Sequence, residues 1–134
     1  MTATATTTTG VDGFLAGITA GAVAADLYTD DAVLDAVVPE WRFSVSGAAA
    51  IAAEYGRWFA VPGHLEELRR HATATGEVVE YTLCWSEGGV PHAARHVHVL
   101  DLAPDGRIAA DHVWCGGRWP ADLLARMAEA RDAD

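Results

Sequence analysis

The sequence predicts an α+β fold in which helices pack on a mostly antiparallel sheet. Apolar residues at helical spacing dominate the first part of the chain, whereas the second half consists of strand-like segments. Turn signals separate those segments at Thr75-Gly76, Gly88-Gly89 and Asp105-Gly106. Helices followed by a run of strands favour an α+β arrangement over a parallel, doubly wound sheet.

The first elements follow from changes in hydrophobic period. The apolar residues of segment 11–28 fit two short helices that are broken near Ala20-Gly21. Segment 32–38 is apolar and β-branched, and Pro39 ends it. In segment 41–46 apolar and polar residues alternate, as is typical of a half-buried strand. Two adjacent strands are therefore predicted after the helical region.

A third helix is predicted from Gly47, because Ile51, Tyr55 and Trp58 recur at helical spacing before Pro62-Gly63 closes the segment. Four further strands are predicted at 65–73, 78–86, 92–102 and 107–115. A last amphipathic helix is predicted to start at Pro120, because proline is favoured at the first helical position.

Composition limits the class of protein. The 134 residues, 51% of them hydrophobic, are enough for one domain with a real core, predicted at 11–134 behind a disordered tail at 1–10. The tail has no apolar signal segment, so we expect a cytoplasmic protein without a membrane partner, in which Cys84 and Cys115 are thiols. A net charge of −10 argues against a nucleic-acid partner.

Three motifs together resemble one known superfamily. They are LYTDDAVLD at 27–35, GAAAIAAEYGRWF at 47–59 and DGRI at 105–108, within a match from about residue 11 to residue 119. This order and spacing is similar to the nuclear-transport-factor-2-like superfamily, which includes ketosteroid isomerase, SnoaL-type polyketide cyclases and scytalone dehydratase. The resemblance implies a cone-shaped α+β barrel whose strongly curved sheet encloses one pocket, usually in a homodimer. Such a fold supports varied chemistry, so it does not fix the reaction.

The resemblance also implies site residues. His98 matches the position of the oxyanion-stabilising aspartate of ketosteroid isomerase, and His96 lies one inward position earlier. Asp111 and Cys115 match pocket-facing positions on the last long strand, where SnoaL-type cyclases carry an acid/base aspartate. The general-base aspartate of the isomerase falls at Ala36, and its catalytic tyrosine has no clear counterpart.

Strand alternation leads to the same cluster without the family. His96, His98 and Leu100 share one face of their strand. The last long strand divides into Asp111, Val113 and Cys115 on one face, and Ile108, Ala110, His112 and Trp114 on the other. If the two strands are neighbours, the carboxylate reaches an imidazole, which makes a pair suited to moving protons.

Other interpretations of these residues stay open. Both histidines fit hydrogen-bonded interior residues as well as acid/base groups. A metal site at His96 and His98 has only a weak signal, because no third ligand is evident at recognised spacing. For Asp111, the alternative is a salt bridge at the sheet edge with Arg95 or Arg107.

Aromatic and apolar residues are predicted to line the pocket, although core packing explains them equally well. The predicted substrate-binding residues are Trp41, Tyr55, Trp58, Tyr81, Leu83, Trp85, Leu100, Val113 and Cys115. Without a visible activating base, the cysteine is expected to be inert rather than nucleophilic. Trp114 is expected to pack outward at a dimer interface.

Two functions are compatible with this cluster. The first is a cofactor-independent cyclase, isomerase or dehydratase of secondary metabolism, in which His98, His96 and Asp111 transfer protons on an apolar, carbonyl-bearing, polyketide-like molecule. The second is a non-catalytic protein that sequesters or senses such a ligand. An accessory domain of a larger enzyme is a third possibility, because Val97, Val99 and Trp114 form an outer sheet face. No cofactor fingerprint is present in the sequence, and no bound metal is expected.

Overall fold

The computed structural model describes residues 10–133, in which three α-helices pack on one curled, seven-stranded sheet. The predicted α+β fold class is confirmed. The helices are α1 (Gly10–Ala20), α2 (Ala48–Trp58) and α3 (Ala121–Asp132), with a short 3-10 helix at Ala25–Leu27. The strands are β1 (Tyr28–Val38), β2 (Trp41–Ser46), β3 (His64–Ala72), β4 (Gly76–Glu87), β5 (Val90–Leu102), β6 (Ile108–Cys115) and β7 (Trp119–Pro120).

The strand order brings the two halves of the chain together. The main path is β2-β1-β6-β5-β4-β3, and β7 pairs with β5 outside it. The β1–β6 pair is parallel, and the other pairs are antiparallel. Because β5 lies between β4 and β6, the inward residues of all three strands lie side by side on the concave face of the sheet. This arrangement decides where the candidate site lies.

Two helices cover the concave face of the sheet. In α1, the spacing of Val11, Phe14, Leu15 and Ile18 places all four side chains on one buried stripe. In α2, Ile51 is fully buried, as is Tyr55 one turn later. The inward residues of the strands complete the core, and they are Leu34, Ala36, Val79, Tyr81, Leu83, Leu100 and Val113.

The structure corrects one predicted orientation. Ile108 was expected on the outward face of its strand, but it is fully buried. The pairing of β5 with β6 shifts by one residue, so Ala110 lies opposite Asp101 whereas Ile108 lies opposite Leu102. This β-bulge inverts the alternation at the start of β6, and a strict period of two cannot predict it.

Three further details differ from the sequence predictions. Helix α1 already begins at Gly10, the last residue assigned to the tail, while residues 1–9 lie outside the described residues. Pro120 belongs to β7 and is the N-cap of α3, so this helix begins at Ala121. The short strand β7 was not predicted, because two residues give no detectable alternation.

The outward face of the sheet carries exposed aromatic surface. Trp114 lies on this face of β6 and is 47% exposed. Between residues 10 and 133, no helix combines the length and the hydrophobicity that crossing a bilayer requires.

Two glycines give opposite predictions for the same substitution. A Cβ atom on Gly76 would lie 1.9 Å from the carbonyl oxygen of Leu100, whereas a Cβ atom on Gly56 meets nothing within 4 Å. Gly76→Ala should therefore lower the free energy of unfolding by about 2–3 kcal/mol, because backbone must move. Gly56→Ala, in the exposed part of α2, should raise it by about 0.5–1 kcal/mol. Urea denaturation measures both changes, and equal effects of the two substitutions would contradict the packing argument.

Candidate functional site

A cavity of about 470 Å³ opens at one end of the concave sheet face. Its wall combines the end of α2 with β4, β5 and β6, because the inward residues of these strands meet there. Trp58, Leu83 and Trp85 supply large apolar surfaces, and Cys115 lies on the β6 side. His96 is the imidazole in this wall. A mostly apolar cavity with a few polar groups fits a small organic ligand.

His96 connects the cavity to the interior. The residue is 4% exposed, and its ring packs against Trp58 and Phe59, with ring centroids 5.6 and 5.8 Å away. The Nδ1 atom lies 2.9 Å from the hydroxyl oxygen of Tyr81. Among the described residues, the Tyr81 hydroxyl is the hydrogen-bond partner of the His96 ring, and it occupies Nδ1. The other ring nitrogen, Nε2, is therefore available to a ligand in the cavity.

Behind His96, a chain of hydrogen bonds crosses the core. The Tyr81 hydroxyl oxygen also lies 2.8 Å from Nε2 of His98. The Nδ1 atom of His98 lies 2.9 Å from Oδ1 of Asp111, and the Tyr55 hydroxyl donates to Oδ2 over 2.7 Å. His98, Asp111 and both tyrosines are fully buried. The geometry joins one cavity-facing imidazole to a buried imidazole–carboxylate pair.

The hydrogen-bond partners in this network determine which nitrogen and oxygen atoms carry protons. A carboxylate only accepts hydrogen bonds, so Nδ1 of His98 carries a proton when Asp111 is ionised. In neutral His98, Nε2 then accepts from the Tyr81 hydroxyl, whose oxygen accepts from Nδ1 of His96. This leaves Nε2 of His96 with a free lone pair. The network therefore presents a hydrogen-bond acceptor, or base, to the cavity.

Burial determines the charge states of the surrounding groups. Desolvation, with a smaller contribution from His98, lowers the pKa of His96 to about 3, so its imidazole is neutral near pH 7. Desolvation, followed by the charge of Asp111, holds the pKa of Tyr55 and of Tyr81 well above the usual range. Both phenols therefore stay protonated and act as donors.

Helix α2 holds one indole of the cavity wall in place. The Nε1 atom of Trp58 donates to Oε2 of Glu54 over 2.9 Å, and Arg57 pairs with the other carboxylate oxygen. Because the guanidinium is largely exposed, it marks the cavity mouth.

A similar arrangement lies across the mouth. The Nε1 atom of Trp85 donates to Glu87 over 2.9 Å, and the same carboxylate oxygen accepts from Arg118. The Arg118 guanidinium also lies over the Trp85 ring, 5.3 Å from its centroid. Two indoles, each fixed by a carboxylate and flanked by an arginine, thus frame the entrance.

The predicted catalytic residues divide into two groups. His96 lines the cavity, whereas His98 and Asp111 are buried behind it and do not line it. One of the three predicted residues therefore lies in the cavity wall, because α1 and α2 cover the imidazole of His98. Phe14 packs edge-on against His98, with 5.0 Å between ring centroids.

The predicted substrate-binding residues divide in the same way. The cavity wall contains Trp58, Leu83, Trp85 and Cys115. Four others, Tyr55, Tyr81, Leu100 and Val113, are fully buried beneath it and do not line it. Trp41 is 70% exposed on β2 and does not line the cavity either, although its register partner Val38 does.

The contacts of Asp111 and the burial of Cys115 bear on the alternatives that the sequence left open for these two residues. The salt bridge proposed for Asp111 is not formed, because Arg95 pairs with Glu80 and Arg107 pairs with Asp105. Burial raises the pKa of the Cys115 thiol, so it is protonated near pH 7, which agrees with an inert side chain.

Sequence reasoning missed two kinds of functional group. It placed Tyr55 and Tyr81 toward the pocket as aromatic surfaces but assigned no role to their hydroxyls. It also did not bring Arg57 and Arg118 to the cavity, because they lie 61 positions apart on different elements. The signal for the tyrosines was available, since a buried phenol needs a polar partner.

Comparison with solved structures identifies the fold. A ketosteroid isomerase-like protein from Catenulispora acidiphila, in complex with trimethylamine, is 17% identical with a TM-score of 0.64, over 88% of this chain and 92% of that one. A candidate polyketide cyclase from Pseudomonas putida is 18% identical with a TM-score of 0.60, over 87% and 96%. An NTF2-like protein from Burkholderia xenovorans is 18% identical with a TM-score of 0.61, over 80% of each chain.

No protein-family model matches the sequence, and no curated protein matches it. The structural similarities nevertheless point to the same superfamily that the motifs at 27–35, 47–59 and 105–108 resemble. The chain has the α+β cone fold of the nuclear-transport-factor-2-like superfamily.

Proposed function

We propose that this protein is a cofactor-independent acid/base enzyme, a cyclase, isomerase or dehydratase, that acts on an apolar, carbonyl-bearing small molecule. The proposed substrate class is a polyketide-like biosynthetic intermediate, and the mostly apolar cavity of about 470 Å³ supports it. The observation that carries the proposal is the position of His96, in an apolar wall with its inner nitrogen bonded to a buried proton network. Site assignment therefore centres on His96, with His98 and Asp111 as positioning residues.

The proposed first step is removal of a proton from the carbon next to a carbonyl. The Nε2 atom of His96 takes the proton, and the electron pair of the broken C–H bond moves to the carbonyl oxygen, giving an enolate. Return of the proton to a different carbon gives isomerisation. If the proton held by the network passes instead to a β-hydroxyl, that group leaves as water and the result is dehydration. If the enolate carbon attacks a second carbonyl, whose oxygen takes the held proton, the result is cyclisation. All three reactions share this step, so one assay tests them together.

The buried network solves a problem of charge. An imidazolium at His96 is disfavoured by desolvation, as the lowered pKa indicates. When Nε2 gains a proton, the Nδ1 proton can move to Tyr81 and the phenol proton can move to Nε2 of His98. The positive charge then lies on His98, 2.9 Å from the Asp111 carboxylate. Reversal of the same shifts returns the proton to the substrate.

A second function is supported by the walls of the cavity. Indoles fixed by hydrogen bonds, such as those of Trp58 and Trp85, suit a flat ligand whether or not it reacts. The alternative is therefore a non-catalytic protein that sequesters or senses such a molecule. Binding without proton exchange is its distinguishing property.

Other expectations from the sequence stay predictions. They are a homodimer, formed through the outer sheet face that carries Trp114, and a cytoplasmic location. A role in secondary metabolism is also retained as part of the proposal.

His96→Gln separates the two functions. In heavy water, β-tetralone, a flat bicyclic ketone, should exchange its α-protons for deuterium faster with the protein than in buffer, as measured by proton NMR. The substitution should remove this acceleration by about 100-fold or more, because the base is lost. Binding, measured by quenching of tryptophan fluorescence, should change little. His112→Gln, on the outer face of β6, is the matched control. Binding by the unmodified protein without exchange would contradict the enzyme and support the binding protein.

Tyr81→Phe tests the proton path. The hydroxyl that joins the two imidazoles is lost, so exchange should slow on the order of 10- to 100-fold. Affinity for β-tetralone should stay constant, because Tyr81 is buried beneath the cavity wall and does not line it. Tyr28→Phe is the control, since its buried hydroxyl has no hydrogen-bond partner in the described structure. If both variants slow exchange equally, the path through Tyr81 is wrong.

His96 also predicts how stability depends on pH. Its pKa is about 3 in the folded protein, compared with about 6.5 when unfolded. Between these values the unfolded chain binds the extra proton, so the contribution is present above the unfolded pKa and is lost as pH falls. From about pH 7 to about pH 5, the free energy of unfolding should fall by about 2 kcal/mol more than in His96→Gln. Urea denaturation at the two pH values measures this difference, and parallel changes in both proteins would refute it.

A further inference from the structure

A second cluster of reactive side chains lies on the sheet face opposite the cavity. His64 and Glu66 are two residues apart on the edge strand β3, so their side chains point to the same side. Cys84 lies directly opposite His64 in the antiparallel pairing of β3 with β4. One donor atom from each residue lies within 4.8 Å of the other two. The Nε2 atom of His64 is 2.9 Å from Oε2 of Glu66.

The three donors suit one kind of ion. An imidazole nitrogen, a thiolate sulfur and a carboxylate oxygen are the ligands of zinc in proteins, at about 2.0–2.3 Å from the metal. Ligand atoms around tetrahedral zinc are then about 3.3–3.8 Å apart, which lies within the 4.8 Å that bounds the distances between these donor atoms. A sulfur ligand favours zinc or cobalt over magnesium or calcium, which prefer oxygen. The donor set therefore selects a borderline divalent metal.

The surroundings leave space for the ion and hold one side of the site. His64 and Cys84 line a hollow that is bounded on its far side by Leu124 of α3. The chain enters β3 in close contact with β4, because a Cβ atom on Gly63 would lie 2.4 Å from the Cys84 carbonyl oxygen. The Gly63 amide donates to the Thr19 carbonyl over 3.0 Å, which fixes this approach. His64 and Glu66 are exposed at their tips and can adjust their rotamers to the metal.

Binding of an ion would change the charge of this cluster. A divalent ion between these groups would replace the thiol proton and offset the negative charge. The cluster contributes three protein ligands, so a fourth position would be open to water or another small ligand.

We propose that His64, Glu66 and Cys84 form a binding site for Zn²⁺ or a closely related divalent metal, independent of the cavity. Binding cross-links the edge strand β3 to β4 through side chains from both. Since a ligand that binds only the folded state stabilises it, the metal also raises the melting temperature.

Titration with Co²⁺ tests the site directly. A thiolate bound to cobalt gives an intense near-ultraviolet charge-transfer band, which histidine and carboxylate ligands alone do not give. We expect this band on adding Co²⁺ to metal-free protein, its loss on adding Zn²⁺, and a rise in melting temperature with either ion. Absence of the band from the unmodified protein would overturn the proposal.

Matched variants identify the ligands. Cys84→Ser should abolish the thiolate band, and His64→Gln should weaken Co²⁺ binding by about tenfold or more. Cys115→Ser removes the other free thiol, and His71→Gln removes another exposed histidine of β3, so both should bind as the unmodified protein does. Circular dichroism verifies that each variant is folded, and Glu66→Gln provides a second ligand substitution. A band that persists in Cys84→Ser, or is lost in Cys115→Ser, would contradict the assignment.

Discussion

The carboxylate of Asp111 lies in the middle of an apolar core, and both of its oxygens are occupied. One faces Nδ1 of His98, and the other accepts from the Tyr55 hydroxyl. An ionised carboxylate without such partners would be strongly destabilising in this environment. The two contacts therefore constrain the fold as well as the site. They tie α2 to the neighbouring strands β5 and β6, and the bond between Tyr55 and Asp111 spans 56 positions of the sequence.

This constraint also decides where a cavity can exist. Tyr55 and Phe14 pack over the buried imidazole of His98, with edge-on or tilted ring contacts, so the centre of the cone is filled. The cavity lies toward the end of α2, where Trp58 and Phe59 pack against His96. The network and the cavity thus meet at one residue. A ligand meets the polar interior through a single imidazole rather than through a row of charged groups.

Much of the fold could be predicted from the spacing of hydrophobic residues and from turn residues such as glycine and proline. Alternation placed His96 and His98 on one face, and Asp111 on the facing side of the neighbouring strand, as the structure has them. These predictions succeed because side-chain direction in a regular strand depends only on local geometry. The orientation predicted for Ile108 was wrong, because a β-bulge interrupts the alternation of side chains. The bulge is specified by the pairing with another strand and not by local geometry.

The sequence could not predict how deeply each inward-facing residue is buried. Whether an inward residue meets a ligand or is covered depends on which helix lies above it. Leu100 and Val113 have the pattern of pocket residues, but the core covers them completely. Trp41 also has the pattern of a pocket residue, but it lies on the edge strand β2 and is 70% exposed. Cores and pockets are made from the same residue types, so composition does not separate them.

In the proposed acid/base function, the two imidazoles have separate tasks. A base in an apolar wall is strong only if its protonated form is tolerated, yet desolvation disfavours charge at His96. A base beside Asp111 would tolerate the charge, but it would be covered by the helices. Separating the two tasks satisfies both requirements, because His96 contacts the cavity and His98 faces the carboxylate. Tyr81 is the link, since a phenol can donate to one imidazole while it accepts from the other. The cavity is apolar although the net charge is −10, because no carboxylate of the described residues lines it, and those of Glu54 and Glu87 are bound to indoles and guanidiniums at its mouth.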